Sequence, residues 1–171
     1  MSRWDLFTSS YDTVSKRMGY IRSDHAYIHE GLAYGINYEL ADFDNGESRY
    51  FLFETPADKY IHFKNVHAID CIAVIYENAT IDETGATEIN TYNRNRIDDS
   101  PANSTVKLLD VDPDLVDAYP IKKYQGSFVV DTDEAVLKQG HQYVIEITNL
   151  GGQTADVFVE SLFYEEGKGV V

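Results

Sequence analysis

Three groups of side chains have the types and spacing to do chemistry. His25 and His29 stand four apart beside Glu30, and on a helix that spacing brings both imidazoles to one face, as a metal centre requires. The order is not that of the zincins, in which the Glu directly follows the first His, and no third ligand has an evident source. Hydrogen-bonded or exposed histidines are the plainer reading, because a metal-bound His needs fixed partners. Asp110, Asp112 and Asp114 alternate like the start of a calcium loop, and Asp117 follows. An EF-hand wants Gly sixth and Glu twelfth, where Leu115 and Ile121 stand, so a solvated acidic loop is expected and an irregular calcium site is the alternative. Finally, Tyr92-Asn93-Arg94-Asn95-Arg96 holds two guanidinium groups two residues apart. From a strand they leave on one face, where each can make paired hydrogen bonds to a carboxylate or to carbonyls, as an internal clamp or a protein interface.

Covalent catalysis finds no foothold. There is no Gly-x-Ser-x-Gly elbow and no phosphate-cradling Gly-rich loop, and the single Cys71 lies in the least polar run, 71–76, where a thiol is buried and inert. With 29 acidic residues, carboxylate pairs arise by chance, and only their separation in space bears on glycoside chemistry. The expectation is a protein that is not an enzyme and uses no cofactor and no metal. Asn78-Ala79-Thr80 and Asn103-Ser104-Thr105 match the glycosylation sequon, which has meaning only on secretion.

Charge narrows the partners. Twenty-nine Asp and Glu against 14 Lys and Arg give a formal charge of -15 and a pI near 4.5, which repels nucleic acid and anionic membranes. One Cys forms no internal disulfide, no apolar run reaches the length of a membrane span, and the opening MSRWDLFTSS lacks a signal-peptide core, so synthesis and folding in a cytosol are expected.

The elements that must position these residues are strands. Thirteen Tyr and eight Phe against two Met and four Pro suit pleated, half-buried surfaces, and 171 residues suit one domain. Residues 1–24 carry Trp4, Phe7, Tyr11 and Tyr20 without sustained periodicity and read as an N-terminal arm, either reaching a neighbouring subunit or packed on its own domain. Residues 25–171 read as a β-sandwich, jelly-roll-like. Strands are expected at 32–40, 49–55, 60–66, 71–76, 91–96, 105–109, 124–130, 142–148 and 156–164, with a hairpin signal at Asn45-Gly46, a hairpin-like return from 71–76 through a loop at 77–85 to 91–96, and one helical turn at 133–138.

A resemblance adds a role. The apolar strand at 71–76 with its Tyr92-Asn93-Arg94-Asn95-Arg96 ending resembles tailed-bacteriophage capsid decoration, or cement, proteins. Ile28-His29-Glu30-Gly31, Phe53-Glu54-Thr55-Pro56 ahead of Ile61-His62-Phe63, and the run from Leu137 through His141-Gln142-Tyr143 to Asn149 fit the same pattern, so the resemblance covers about residues 28–164. It implies a non-enzymatic virion protein, made in the host cytoplasm, that binds the outside of the assembled capsid. There it would bridge subunits of the major capsid protein as a homo-oligomer, dimer or trimer, touching neither nucleic acid nor membrane. Trp4, Phe7, Tyr11, Tyr20, Arg94 and Arg96 are the expected capsid or subunit contacts. The alternative is a carbohydrate- or receptor-binding sandwich of a phage tail fibre, with exposed Tyr rings stacked on sugars.

Overall fold

The computed structural model describes residues 11–12, 17–18, 27–97, 100–125 and 134–167. Two short strands, β1 (Tyr11–Asp12) and β2 (Arg17–Met18), pair antiparallel by themselves. The domain proper begins after a helical turn at residues 27–29.

Eight strands build the sandwich: β3 (Ala33–Phe43), β4 (Ser48–Glu54), β5 (Lys59–Ala68), β6 (Cys71–Glu77), β10 (Tyr119–Gln125), β11 (Ala135–Leu137), β12 (Gln142–Asn149) and β13 (Ala155–Gly167). Three short ones, β7 (Thr87–Glu88), β8 (Tyr92–Asn93) and β9 (Thr105–Leu108), lie in the connection between β6 and β10. One sheet runs β10-β6-β12-β4-β9-β7 and the other β11-β5-β13-β3-β8. Without the three short strands the orders are β10-β6-β12-β4 and β11-β5-β13-β3, with the chain passing from sheet to sheet along the way. This is the double Greek-key order of a jelly roll.

Alternation along the strands explains why two sheets face each other. In β4, Phe51 and Phe53 point inward, and in β5 Ile61 and Phe63 do so; Tyr143, Ile145 and Ile147 of β12 complete the facing layer with Val157, Val159 and Phe163 of β13. An aromatic group joins the layers. Phe53 stands edge-on to Phe63 at 5.3 Å and to Phe163 at 5.0 Å, the favoured quadrupole arrangement.

Several local expectations fall to the topology. The Asn45-Gly46 turn links β3 to β4 across the two sheets instead of closing a hairpin. The strand after the 77–85 loop does not return beside β6: Tyr92 and Asn93 pair with Gly35 and Tyr34 of the opposite sheet. The turn expected at 133–138 contains strand β11, because Ala135 to Leu137 find an open edge on β5. The strand expected at 124–130 begins earlier, at Tyr119, and residues 126–130 lie outside the described residues, as does most of the arm.

Residues 78–118 wrap the side of the sandwich where β3 and β4 form the edges. β9 adds to β4 and β7 to β9, while β8 adds to β3, so one connection extends both sheets. Ile89, between β7 and β8, is buried in the core, and its N–H donates to Val106 O at 2.8 Å. A Cβ at Gly35 would stand 2.6 Å from the Tyr92 ring, so any other residue there would have to displace that ring.

Phe63→Ala is expected to lower stability by about 3–5 kcal/mol, the cost of emptying a packed aromatic site. Phe158→Ala, in a strand of the same sheet but 66% exposed, should stay within about 0.5 kcal/mol of the parent. Denaturant titration of both variants checks the assignment of faces.

Candidate functional site

Among the described residues, the depression lined by Val66, Ala68, Cys71, Ala73 and Tyr124 has no room for a water molecule. Cys71 is buried there; burial, and then the Asp70 charge, push its thiol up to about 11. Among the described residues no three His, Cys, Asp or Glu converge as metal ligands. His25 lies outside the described residues, and His29 is exposed on the short helical turn.

The Asn-Arg-Asn-Arg segment holds the chain through its amides. Asn93 is buried; its Nδ2 donates to Gly31 O at 3.0 Å and to Ser100 O at 3.3 Å, while its Oδ1 accepts the N–H of Asn95 at 2.9 Å. Asn95 donates to His29 O at 3.2 Å. Arg94 is half-buried and Arg96 exposed, and neither guanidinium has a carboxylate partner among the described residues. The strand ends at Asn93, so the two arginines do not share a strand face. Among the described residues, the bonds that tie this segment to the main chain come from the two asparagines. An amide can donate and accept at once, which suits a turn crowded with main-chain carbonyls and N–H groups. Of the other expected contact residues, Trp4, Phe7 and Tyr20 lie outside the described residues, and Tyr11 falls in β1.

A buried carboxylate that residue spacing did not single out fixes the same connection. Glu165 of β13 points inward beside Ile61 and has no solvent exposure. Its oxygens accept the N–H of Asn103 at 2.8 Å and of Ser104 at 2.7 Å, the Asn103 amide at 2.7 Å and the Ser104 hydroxyl at 2.8 Å. Four donors from two consecutive residues meet the acceptor-only needs of one ionised carboxylate. Asn103, a sequon position, is thereby spoken for.

On the outer face of the six-stranded sheet, Glu54 joins three strands. It accepts from Lys107 at 2.8 Å, Thr105 at 2.6 Å and Gln142 at 2.9 Å, and Lys107 reaches on to Glu83 at 2.6 Å. Burial opposes ionisation of Glu54, but these bonds, led by Lys107, outweigh it and hold the carboxyl at about 2. Nearby, Glu146 of β12 accepts from Ser48 at 3.0 Å and from the Tyr76 phenol at 3.0 Å. Burial, and then Glu146, raise both Tyr50 and Tyr76 above the usual phenol range. These phenols orient on Glu146 as donors.

Leu52 and Val144 pair across β4 and β12 on this outer face, yet both are fully buried. Beside this sheet the two limbs of the connection, residues 78–85 and 109–118, are joined by reciprocal bonds between Thr80 and Asp114 at 3.0 and 2.9 Å. Leu109, whose N–H donates to Tyr50 O, and Pro113 are buried beneath. Above them the segment turns apolar side chains outward: Val111, Val116 and Tyr119 are exposed, interleaved with Asp110, Asp112, Asp114 and Asp117. The acidic loop is thus an ordered ridge. Asp114 caps the turn by accepting the Val116 N–H at 2.9 Å, and Ala118 N–H donates to Leu115 O at 3.1 Å.

On the other sheet's outer face, His62 of β5 lies between two carboxylates, Nδ1 3.0 Å from Glu134 and Nε2 3.0 Å from Glu166. Lys64 Nζ lies 2.8 Å from Glu134 and 5.5 Å from the Tyr164 ring centre. Tyr27 stacks on Tyr164 at 5.1 Å and lies over His62 at 6.5 Å.

Asn93→Ala is expected to cost about 1–3 kcal/mol through unmet main-chain groups, while Arg94→Lys and Arg96→Lys leave the melting temperature nearly unchanged. Glu165→Ala should cost on the order of 3 kcal/mol or more, because its four donors then stay buried without acceptors. Glu54 has a pH signature. Its folded value is depressed, so its contribution is complete above the ordinary 4.5 and is lost as pH falls toward about 2. Acid titration of Glu54→Gln should show a smaller loss across that window than the parent.

No family model matches the chain, and neither the curated proteins nor the solved structures contain a significant match, so its function has to be argued from these surfaces themselves.

Proposed function

We propose that the chain is a non-enzymatic structural protein that docks on an assembled protein shell, in the manner of the tailed-phage decoration proteins its sequence resembles. The observation that carries this reading is the ridge at residues 110–119. An ordered turn that holds Val116 at 87% exposure and Tyr119 at 64% presents apolar anchors without an ordering cost at binding. The interleaved carboxylates choose the partner. At a formal charge of -15 the chain attracts a surface with Lys and Arg around an apolar recess.

Jelly rolls serve both viral shells and lectins, so the fold alone does not choose. Stabilisation follows from linkage. A protein that binds the assembled shell and not its free subunits adds its binding free energy to the assembled state, repeated over every copy.

Purified protein should cosediment with undecorated tailed-phage capsids of the same genome, saturating in proportion to the major capsid protein and weakening as salt rises. Val116→Asp and Tyr119→Ser should keep the parent melting temperature and bind about tenfold or more weakly. Removal of residues 1–24 should weaken attachment and leave a folded sandwich. Absence of capsid binding, together with saturable glycan binding lost in Tyr119→Ser, would replace this reading with the tail-fibre one.

A further inference from the structure

The outer face of the five-stranded sheet carries apolar side chains of its own. Along β13, Val157 and Val159 belong to the core, so Phe158 between them points outward, at 66% exposure. Val159 pairs with Ala68, another core residue, and one step further in the antiparallel register Ile69 comes across from Phe158. Ile69 is 61% exposed. Its turn is fixed: Asp70 adopts a left-handed φ of 56°, and the Asp70 carbonyl accepts the Leu150 N–H at 2.8 Å. A single exposed apolar side chain is ordinary on any protein, but two large ones set side by side on a fixed backbone offer a contact.

The charges around this pair are of one sign. Glu39 of β3 is the direct cross-strand partner of Phe158, and Glu160, two residues further along β13, leaves the same face. Both are exposed, and neither has a hydrogen bond or ion pair. Neither β3 nor β13 contains a Lys or Arg, and Lys64 of β5 is bound to Glu134. His67 stands across from Glu160. A ring face flanked by free carboxylates attracts a cation through its quadrupole and through ion pairing together.

We propose that this face is a second docking surface, which receives an arginine side chain from a partner protein. The guanidinium lies over the Phe158 ring and pairs with Glu39 and Glu160, while an apolar neighbour of that arginine rests on Ile69. Arginine fits better than lysine, because its planar head stacks on a ring and still presents several donors to two carboxylates. The ridge at residues 110–119 follows β9 of the other sheet, so the two surfaces are separate and this one does not rest on the docking reading above.

Proton–nitrogen NMR titration of the full-length protein with the acetylated, amidated peptide Leu-Arg-Leu-Arg-Leu tests the proposal. Saturable shifts are expected at the amides of Glu39, Ile69, Phe158 and Glu160. The same peptide with citrulline for arginine keeps the shape without the charge and should bind there about tenfold more weakly. Phe158→Ala, and Glu39→Gln together with Glu160→Gln, should each weaken binding at those amides about fivefold or more while the melting temperature is kept. No shift at these amides, equal shifts from the citrulline peptide, or undiminished binding to Phe158→Ala overturns the proposal. Shifts at the same amides from maltotriose, with none from the arginine peptide, assign the face to sugars and overturn it as well. The citrulline comparison uses the native chain and stands even if a variant folds poorly. Neither a capsid nor Val116 and Tyr119 enter this titration, so either docking surface can fail while the other holds.

Discussion

A full negative charge with no solvent exposure is among the most costly groups a fold can contain, and Glu165 is one. No Lys or Arg among the described residues reaches it; what offsets the lost hydration is the fixed set of donors from Asn103 and Ser104. This makes the arrangement mutual. Without the connection carrying those residues, β13 would hold a bare charge in the core. Without Glu165, two N–H groups, an amide and a hydroxyl would be stranded. The last strand of the sandwich and the wrap around its side therefore form as a unit. Asn93 repeats the logic at smaller scale, tying β8 to the Gly31 carbonyl just before β3.

That coupling gives the wrap its rigidity, and the rigidity matters more than its composition. Residues 110–117 are acidic enough to be taken for a solvated loop, but the segment is anchored by buried Leu109 and Pro113 and by the Thr80–Asp114 bridge. An exposed Val on a floppy loop would be hidden most of the time. Held on a fixed turn, Val116 stays available, at the cost of apolar surface left permanently in water. The abundant carboxylates around it keep such a surface soluble.

The sequence made some of this legible and hid the rest for physical reasons. Where one face of a strand is buried, alternation is plain: Phe51/Phe53, Ile61/Phe63 and Tyr143/Ile145/Ile147 all point into the core as their spacing indicates. Alternation does not name the partner strand, so the Asn45-Gly46 turn looks like a hairpin although it bridges sheets. Leu52 and Val144 are misleading in the other direction, because they are fully buried although they lie on the face opposite the core-facing side chains of their strands. Short edge strands such as β8 and β11 take their conformation from a neighbour's unpaired groups, which no local propensity records. Glu165 and His62 gave no signal in spacing at all. Their partners are 61 and 62 residues away in one case and 72 and 104 in the other. In Asn-Arg-Asn-Arg the arginines draw attention through charge, and the amide bonds of Asn93 and Asn95 leave no mark in composition.

The strand order also dictates how the chain can come to be folded. β13 is inserted between β3 and β5, so the middle of one sheet is filled by the final strand of the sandwich. Residues 33–43 must wait for residues 155–167, and a growing chain on the ribosome has no means of completing that sheet early. Loop closure over such separations precedes any reward from contacts, which makes folding of this topology slow. During that interval the edges of β3 and β5 that β13 will pair are open to other copies of the chain. A strongly acidic chain keeps those unfinished copies apart, so the net charge of -15 guards the protein before its sheets are closed.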